Sequence, residues 1–208
     1  MSGELLEDPH LADHVVARAH RDLDRTHRWL GNTTEILRLL RHDPVPVRSV
    51  LDIGCGQGAL LHHIRRQLGV EVVGFDLRPA PPSAPVPIHT GNAIVDPLPP
   101  ADVAVAVCLA HHLSESEFIR LIHNVSRSCR RFIVLDLVRH RLPLVLFRAF
   151  VAPFLYRLNV IDGLTSVRRA YTPAEMRRVV DTALQGTGGR VSHTLAPLYI
   201  RQVVDISW

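Results

Sequence analysis

The sequence predicts an α/β fold in which a mostly parallel sheet carries helices on both faces and ends in a hairpin. Three features predict it. Short β-branched, apolar runs alternate along the chain with stretches of helical periodicity. One of them, Ser49 to Gly58, reads S-V-L-D-I-G-C-G-Q-G and passes from strand to helix through three glycines. The C-terminal segments Arg190 to Leu195 and Tyr199 to Ser207, bent at Pro197, read as paired strands.

The elements follow in order. From about Asp8 to Arg41 apolar residues recur at helical spacing (Ala12, Val15, Val16, Ala19, then Trp29, Leu30, Ile36, Leu37, Leu40), with a break near Gly31-Asn32. Trp29 is open to two roles, packing on the core or facing a ligand together with His27 and Asn32. Pro44 and Pro46 end this helical part. Val50, Leu51 and Ile53 make the first strand a buried one, and Gly54, Gly56 and Gly58 free the turn for positive φ and for close approach of a ligand. The helix from about Gly58 to Leu68 aims its unpaired N–H groups at that ligand, which suits a carboxylate as well as a phosphate.

Two cofactors compete for this turn. Read as G-x-G-x-x-A, residues Gly54, Gly56 and Ala59 match a dinucleotide fingerprint, with Asp76 about 20 residues on as the ribose acid. Asp52 argues the other way. A carboxylate two residues before the first glycine repels a pyrophosphate and attracts a cation. L-D-I-G-C-G-Q-G resembles the first motif of class I S-adenosylmethionine (SAM) dependent methyltransferases, and the likeness extends from about Ser49 to the C-terminus.

That resemblance implies a Rossmann-like, seven-stranded, mostly parallel sheet with an antiparallel last strand, helices on both faces and an N-terminal helical cap. It implies SAM as cofactor, held at the first turn by Asp52, Gly54, Cys55, Gly56 and Gly58. Glu71 to Phe75 is the second strand; Asp76 at its tip receives the ribose hydroxyls, with Leu77 beside it. Pro79 to Pro87 excludes a regular helix, so a loop replaces the next crossover and Val86 to His89 is a short third strand. Gly91-Asn92-Ala93 then resembles the family's G-D-A element at the adenine, with Asn92 in place of the acid.

Asp102 to Val107 is the fourth strand, followed by Cys108 and Leu109 on the cofactor side and by His111 and His112. Ser114 and Glu117 form a capping box for the next helix. Arg131 to Leu137 is the fifth strand and brings Asp136 to the same edge. An imidazole titrates near neutrality, so His111 is the candidate base, His112 its rival and Asp136 the orienting acid. The pairing resembles that of small-molecule and sugar O-methyltransferases.

Leu142 to Leu158 is apolar on nearly every side and includes Phe147, Phe150, Phe154 and Tyr156. It reads as the wall of a lipophilic acceptor pocket, with a homodimer contact or a membrane-surface helix as alternatives. Asp162 to Tyr171 reads as a polar loop, and Thr172-Pro173-Ala174-Glu175 opens a last helix. The expected organisation is one domain over 1–208: a cap at 1–45, a cofactor core at 46–139, an acceptor insertion at 140–171, and a helix with hairpin at 172–208.

Composition narrows the function further. A chain of 208 residues and 23.3 kDa supports one α/β domain. All 24 basic residues are arginines, which excludes Schiff-base and P-loop lysine chemistry. The charge of +4 is spread rather than clustered, so no nucleic-acid partner is expected. Three cysteines (Cys55, Cys108, Cys129) without C-x-x-C spacing fit a cytoplasmic protein, and Arg148 and Arg157 interrupt the one near-membrane-length apolar run. No metal is expected, because Cys108 stands where a metal-binding carboxylate would be needed. The expected reaction is O-methylation of a hydrophobic phenolic, polyketide or isoprenoid metabolite, with C- or N-methylation and NAD-dependent oxidation as alternatives.

Overall fold

The computed structural model describes residue 22 and residues 25–152 and 157–208. Strands β1 (Ser49–Ile53), β2 (Glu71–Asp76), β3 (Ile88–Thr90), β4 (Ala101–Val107), β5 (Cys129–Asp136), β6 (Arg190–Leu195) and β7 (Gln202–Ser207) form one sheet. Its order is β3-β2-β1-β4-β5-β7-β6. The pairs from β3 to β5 are parallel, whereas β7 runs antiparallel to both β5 and β6.

The central strands are apolar throughout because both faces are covered. On one face, α1 (Asn32–Arg41) and α2 (Ala59–Leu68) pack Ile36, Leu40, Leu61 and Ile64 onto Val50, Val103, Val105 and Ile133. On the other, α3 (Glu115–Ser126) and α6 (Pro173–Leu184) pack Phe118, Ile122, Met176 and Val180 onto Leu51, Ile53, Ala104 and Phe132. Both α3 and α6 begin with the expected capping boxes, Ser114 with Glu117 and Thr172 with Glu175.

Three expectations are corrected, and one left open is decided. The apolar run from Leu142 is not one wall: α4 (Arg141–Leu146) passes into a π turn at Phe147–Val151, while Phe154 and Tyr156 lie outside the described residues. The segment expected as a polar loop is helix α5 (Arg157–Arg169). Tertiary packing overrides the weak helix formers there: Asp162, Ser166 and Val167 are buried, and a side chain at Gly163 would run into the Phe147 ring. The hairpin's second strand starts at Gln202, because Pro197–Tyr199 coils into a 3₁₀ turn with Leu198 and Tyr199 at φ 59° and 56°. Trp29 does not pack on the core, being 62% exposed.

The N-terminal helical part breaks at Gly31, which takes φ 77°. Ala12, Val15, Val16 and Ala19 lie outside the described residues. Among the described residues, no helix is long and apolar enough to cross a membrane.

Candidate active site

The carboxyl ends of β1, β2, β3, β4 and β5 meet at one edge of the sheet, where open α/β sheets bind ligands. At the end of β1, Gly54, Gly56 and Gly58 take φ 72°, 55° and 78°, a region that any side chain would strain. Space also forbids side chains here. A Cβ on Gly54 would lie 2.9 Å from Leu109 Cδ1, and one on Gly58 would lie 2.6 Å from Val86 Cγ2.

Asp76 ties this turn to β2, its Oδ2 accepting from Gly56 N–H at 2.7 Å and its Oδ1 from Arg78 N–H at 2.9 Å. The carboxylate retains lone pairs for two further donors, as a ribose diol requires. Asp52 is buried beneath the turn, 3% exposed. Burial, and then the nearby Asp76 charge, push its carboxyl well above the usual range. A cation seated over it would relieve both effects.

The Cys55 side chain turns inward from the turn. Its Sγ occupies the space left by the missing side chain of Gly74, and burial, followed by the Asp52 and Asp76 charges, drives its pKa far up.

Beyond β2 and β3, Leu77 and Val95 are exposed apolar side chains (72% and 68%). Asn92 caps the loop that follows β3, its Oδ1 accepting from Ile94 N–H at 3.0 Å. Asp96 stands beside it, its Oδ2 accepting from Asn92 N–H at 2.7 Å. Asn124 holds this loop through the carbonyls of Ala93 and Asp96 at 2.9 and 2.8 Å. Val95 and Asp96 lie two and three residues beyond the end of the G-x-A match and so fell outside the sequence reading.

At the end of β4, Cys108 sits at φ 54° with its N–H donating to Leu135 O at 2.8 Å. A left-handed non-glycine residue costs on the order of 1–3 kcal/mol and is concentrated at functional sites. The strain turns the chain sharply, so that Leu109 closes on Gly54 and the 3₁₀ turn Ala110–His112 drops back over β5.

There His111 and Asp136 come together. Asp136 Oδ2 accepts from His111 N–H at 3.0 Å, and its Oδ1 lies 2.6 Å from His111 Nδ1 and 2.7 Å from Leu137 N. A carboxylate only accepts, so Nδ1 carries the proton and the neutral ring's lone pair is on Nε2. His111 and Asp136 are 5% and 1% exposed. The His112 ring lies against His111, centroids 4.2 Å apart. Tyr171, beyond α5, donates its hydroxyl to Leu113 O at 2.8 Å and so fixes the far end of the turn. Among the described residues, no group of three or more His, Cys, Asp or Glu side chains is arranged to hold a metal ion.

The geometry suits a cationic nucleoside: a glycine cradle, a carboxylate at the end of β2 bonded to it, and a second carboxylate buried beneath the turn. The dinucleotide alternative fails on the last strand, since the dinucleotide fold continues in parallel where β7 here reverses.

Comparison with known proteins agrees. A family profile described as a methyltransferase domain matches residues 19–140. No curated protein matches the sequence. Among solved structures, the chain resembles the plantazolicin methyltransferase BpumL in complex with S-adenosylhomocysteine (SAH), with TM-score 0.70 and 14% identity over 94% of this chain and 91% of that one. Human N-acetylserotonin methyltransferase in complex with SAM matches with TM-score 0.59 and 17% identity over 91% of this chain and 55% of that one. Mitomycin 7-O-methyltransferase MmcR matches with TM-score 0.59 and 15% identity over 93% and 58%. With the family matched over more than half its length and the sheet order in place, the chain belongs to the class I SAM-dependent methyltransferases.

Proposed function

We propose that this enzyme methylates a hydroxyl oxygen of a hydrophobic small molecule of phenolic, polyketide or isoprenoid type, with His111 as general base. The observation that carries the reading is the buried His111–Asp136 pair at the cofactor edge. When bound, SAM supplies a methyl group on a sulfonium whose positive charge is lost as the methyl leaves. Gly54, Gly56 and Gly58, with Asp76 and Leu77 on one side and Asn92, Ala93 and Val95 on the other, are the proposed seat. Asp52 contributes the counter-charge, and Cys108 and Leu109 form the floor.

A hydroxyl is a weak nucleophile until it loses its proton. His111 Nε2 takes that proton, and Asp136 holds the ring's tautomer and steadies the imidazolium that forms. Alignment of that oxygen with the methyl carbon, away from water, supplies most of the remaining acceleration in such a transfer.

A lipophilic acceptor is supported by Leu142, Leu144, Leu146 and Phe147, which follow Asp136 within a dozen residues and are half-buried. One structural neighbour is by name a 7-O-methyltransferase of mitomycin, and another acts by name on N-acetylserotonin. A neighbour named as a small RNA methyltransferase raises RNA as a second acceptor, although Arg130, Arg131, Arg139, Arg177 and Arg178 are engaged by carboxylates.

The test is product analysis by mass spectrometry after incubation with methyl-labelled SAM and panels of phenols, hydroxylated polyketides and prenyl alcohols. Label on oxygen is expected; label on carbon or nitrogen, or on RNA alone, overturns the reading. His111→Ala lowers kcat by about 10²–10⁴ with SAH binding intact, and Asp136→Asn falls between it and the parent. A His112→Ala variant with the larger loss would transfer the role to that ring.

A further inference from the structure

The partner of Asp136 across the β5–β7 ladder is Gln202, the first residue of β7. Residues opposite each other in an antiparallel pair project from the same face, so the Gln202 amide lies on the Asp136 side of the sheet. It is wholly buried, and a buried amide is tolerated where its hydrogen bonds are made. One of its terminal atoms touches two carbonyl oxygens, Leu137 O and Tyr171 O, at 2.9 Å each. Carbonyls only accept, so that atom is Nε2 and both of its hydrogens are used. Oε1 faces His193 Nε2 at 3.0 Å, and that nitrogen is therefore the donor.

Each of the two carbonyls leads to one member of the pair at the site. Leu137 N–H donates to Asp136 Oδ1 at 2.7 Å, and the same oxygen lies 2.6 Å from His111 Nδ1. Tyr171 sends its hydroxyl to Leu113 O at 2.8 Å, and Leu113 N–H donates to Ala110 O at 3.0 Å across the 3₁₀ turn that carries His111. The two arms are joined again where Arg139 N–H donates to Tyr171 O at 3.2 Å. Asp136 ends β5 and His111 sits in the turn after β4, so their bond depends on how well two separate stretches of backbone are held in register. Hydrogen bonds behind the reacting groups are what hold such geometry.

We propose that Gln202 is a positioning residue: its one amide nitrogen ties the backbone behind Asp136 to the backbone behind His111 and so keeps the Nδ1–H of His111 on the carboxylate. The inference rests on the reading of that pair as base and orienting acid. The reversal of β7, which defines the fold, is also what delivers this amide to the carboxyl end of β5.

The test uses the full-length protein labelled with ¹⁵N-histidine, the His111 ring signals being identified by their loss in His111→Ala. The parent is expected to show a single Nδ1–H tautomer whose downfield proton is protected from exchange with water. Gln202→Met keeps the length of the side chain and removes all three bonds. It is expected to speed exchange of that proton about tenfold and to bring in the Nε2–H tautomer, while SAH affinity by calorimetry stays within about twofold of the parent's. Tyr171→Phe cuts one arm only and should give a smaller change in the same direction. Asp43→Asn, a substitution before β1, should leave the His111 signals as they are; the same change there would mean general loosening and overturn the proposal. Parent-like tautomer and exchange in Gln202→Met also overturn it, while leaving the pair standing. A parent without the Nδ1–H tautomer overturns the pair and the positioning together. Methyl label found on carbon or nitrogen removes the oxygen reading, and the tautomer measurement still decides the role of Gln202. Should Gln202→Met fail to fold, Tyr171→Phe decides the matter by the same readouts.

Discussion

His111 and Asp52 show how far burial changes an ordinary residue. Each is a common side chain in sequence; the fold removes water from both and gives only His111 a paired carboxylate. Asp52 has a neighbouring negative charge instead, so its folded-state pKa stands above its unfolded one. A raised carboxyl pKa means that stability is fully present below the unfolded value, near 4, and falls as pH rises through the folded value. Asp52→Asn should therefore melt higher than the parent at pH 8 without ligand and match it at about pH 3.5. The same variant should bind SAM about tenfold more weakly, the scale of one charge-assisted contact. Calorimetry and thermal melts at the two pH values check both halves; a variant that melts lower at pH 8 and binds SAM normally removes Asp52 from the cofactor's charge balance.

Among the elements, the helices were readable where their ends carry side-chain chemistry and unreadable where packing alone decides. Thr172 and Glu175 announce α6 through a reciprocal pair, Thr172 Oγ1 accepting from Glu175 N–H at 3.3 Å and Glu175 Oε2 from Thr172 N–H at 2.8 Å. Glu175 is also paired with Arg139. Thr172→Ala should cost about 1 kcal/mol and lower Tm by about 2–4 °C, with SAH affinity unchanged, as a melt and a titration will show. By contrast α5 has Gly163, Thr165 and Ser166 in its interior, all poor helix formers. It is helical because the Phe147 ring needs the gap at Gly163 and because Val167 and Ala170 are buried. No local signal carries that information.

At the scale of the molecule, the sheet's order and the reversal of β7 are held by a charge network as well as by the apolar core. Arg131 on β5 pairs with Asp205 on β7 at 2.6 Å and with Asp43 before β1 at 2.7 Å, and Arg130 joins Asp43 at 3.1 Å. Burial opposes ionisation of Asp43, but the Val45 N–H and the two guanidinium groups outweigh it and hold the carboxyl below its ordinary range. A depressed carboxyl contributes stability that is present above the unfolded value and lost as pH falls through the folded one. Asp43→Asn should therefore lower Tm at pH 7, and the gap to the parent should narrow below about pH 4. A gap independent of pH would mean that the side chain's packing, not its charge, matters there.

The sequence by itself determined the glycine turn, Asp52, Asp76, the alternating strands, the two capping boxes and the pairing of a histidine after β4 with an acid at the end of β5. Each is written in neighbouring residues, since turns, caps and strand runs are local constraints on φ, ψ and hydrogen bonding. Only the tertiary structure decided that Cys55 turns inward onto Gly74, that Asp96 stands beside Asn92, that α5 is a helix, and that Arg201 meets Leu30 across 171 residues of chain. Those outcomes depend on which surfaces the closed sheet brings together and on the space it leaves, and distance in space is not encoded in distance along the chain.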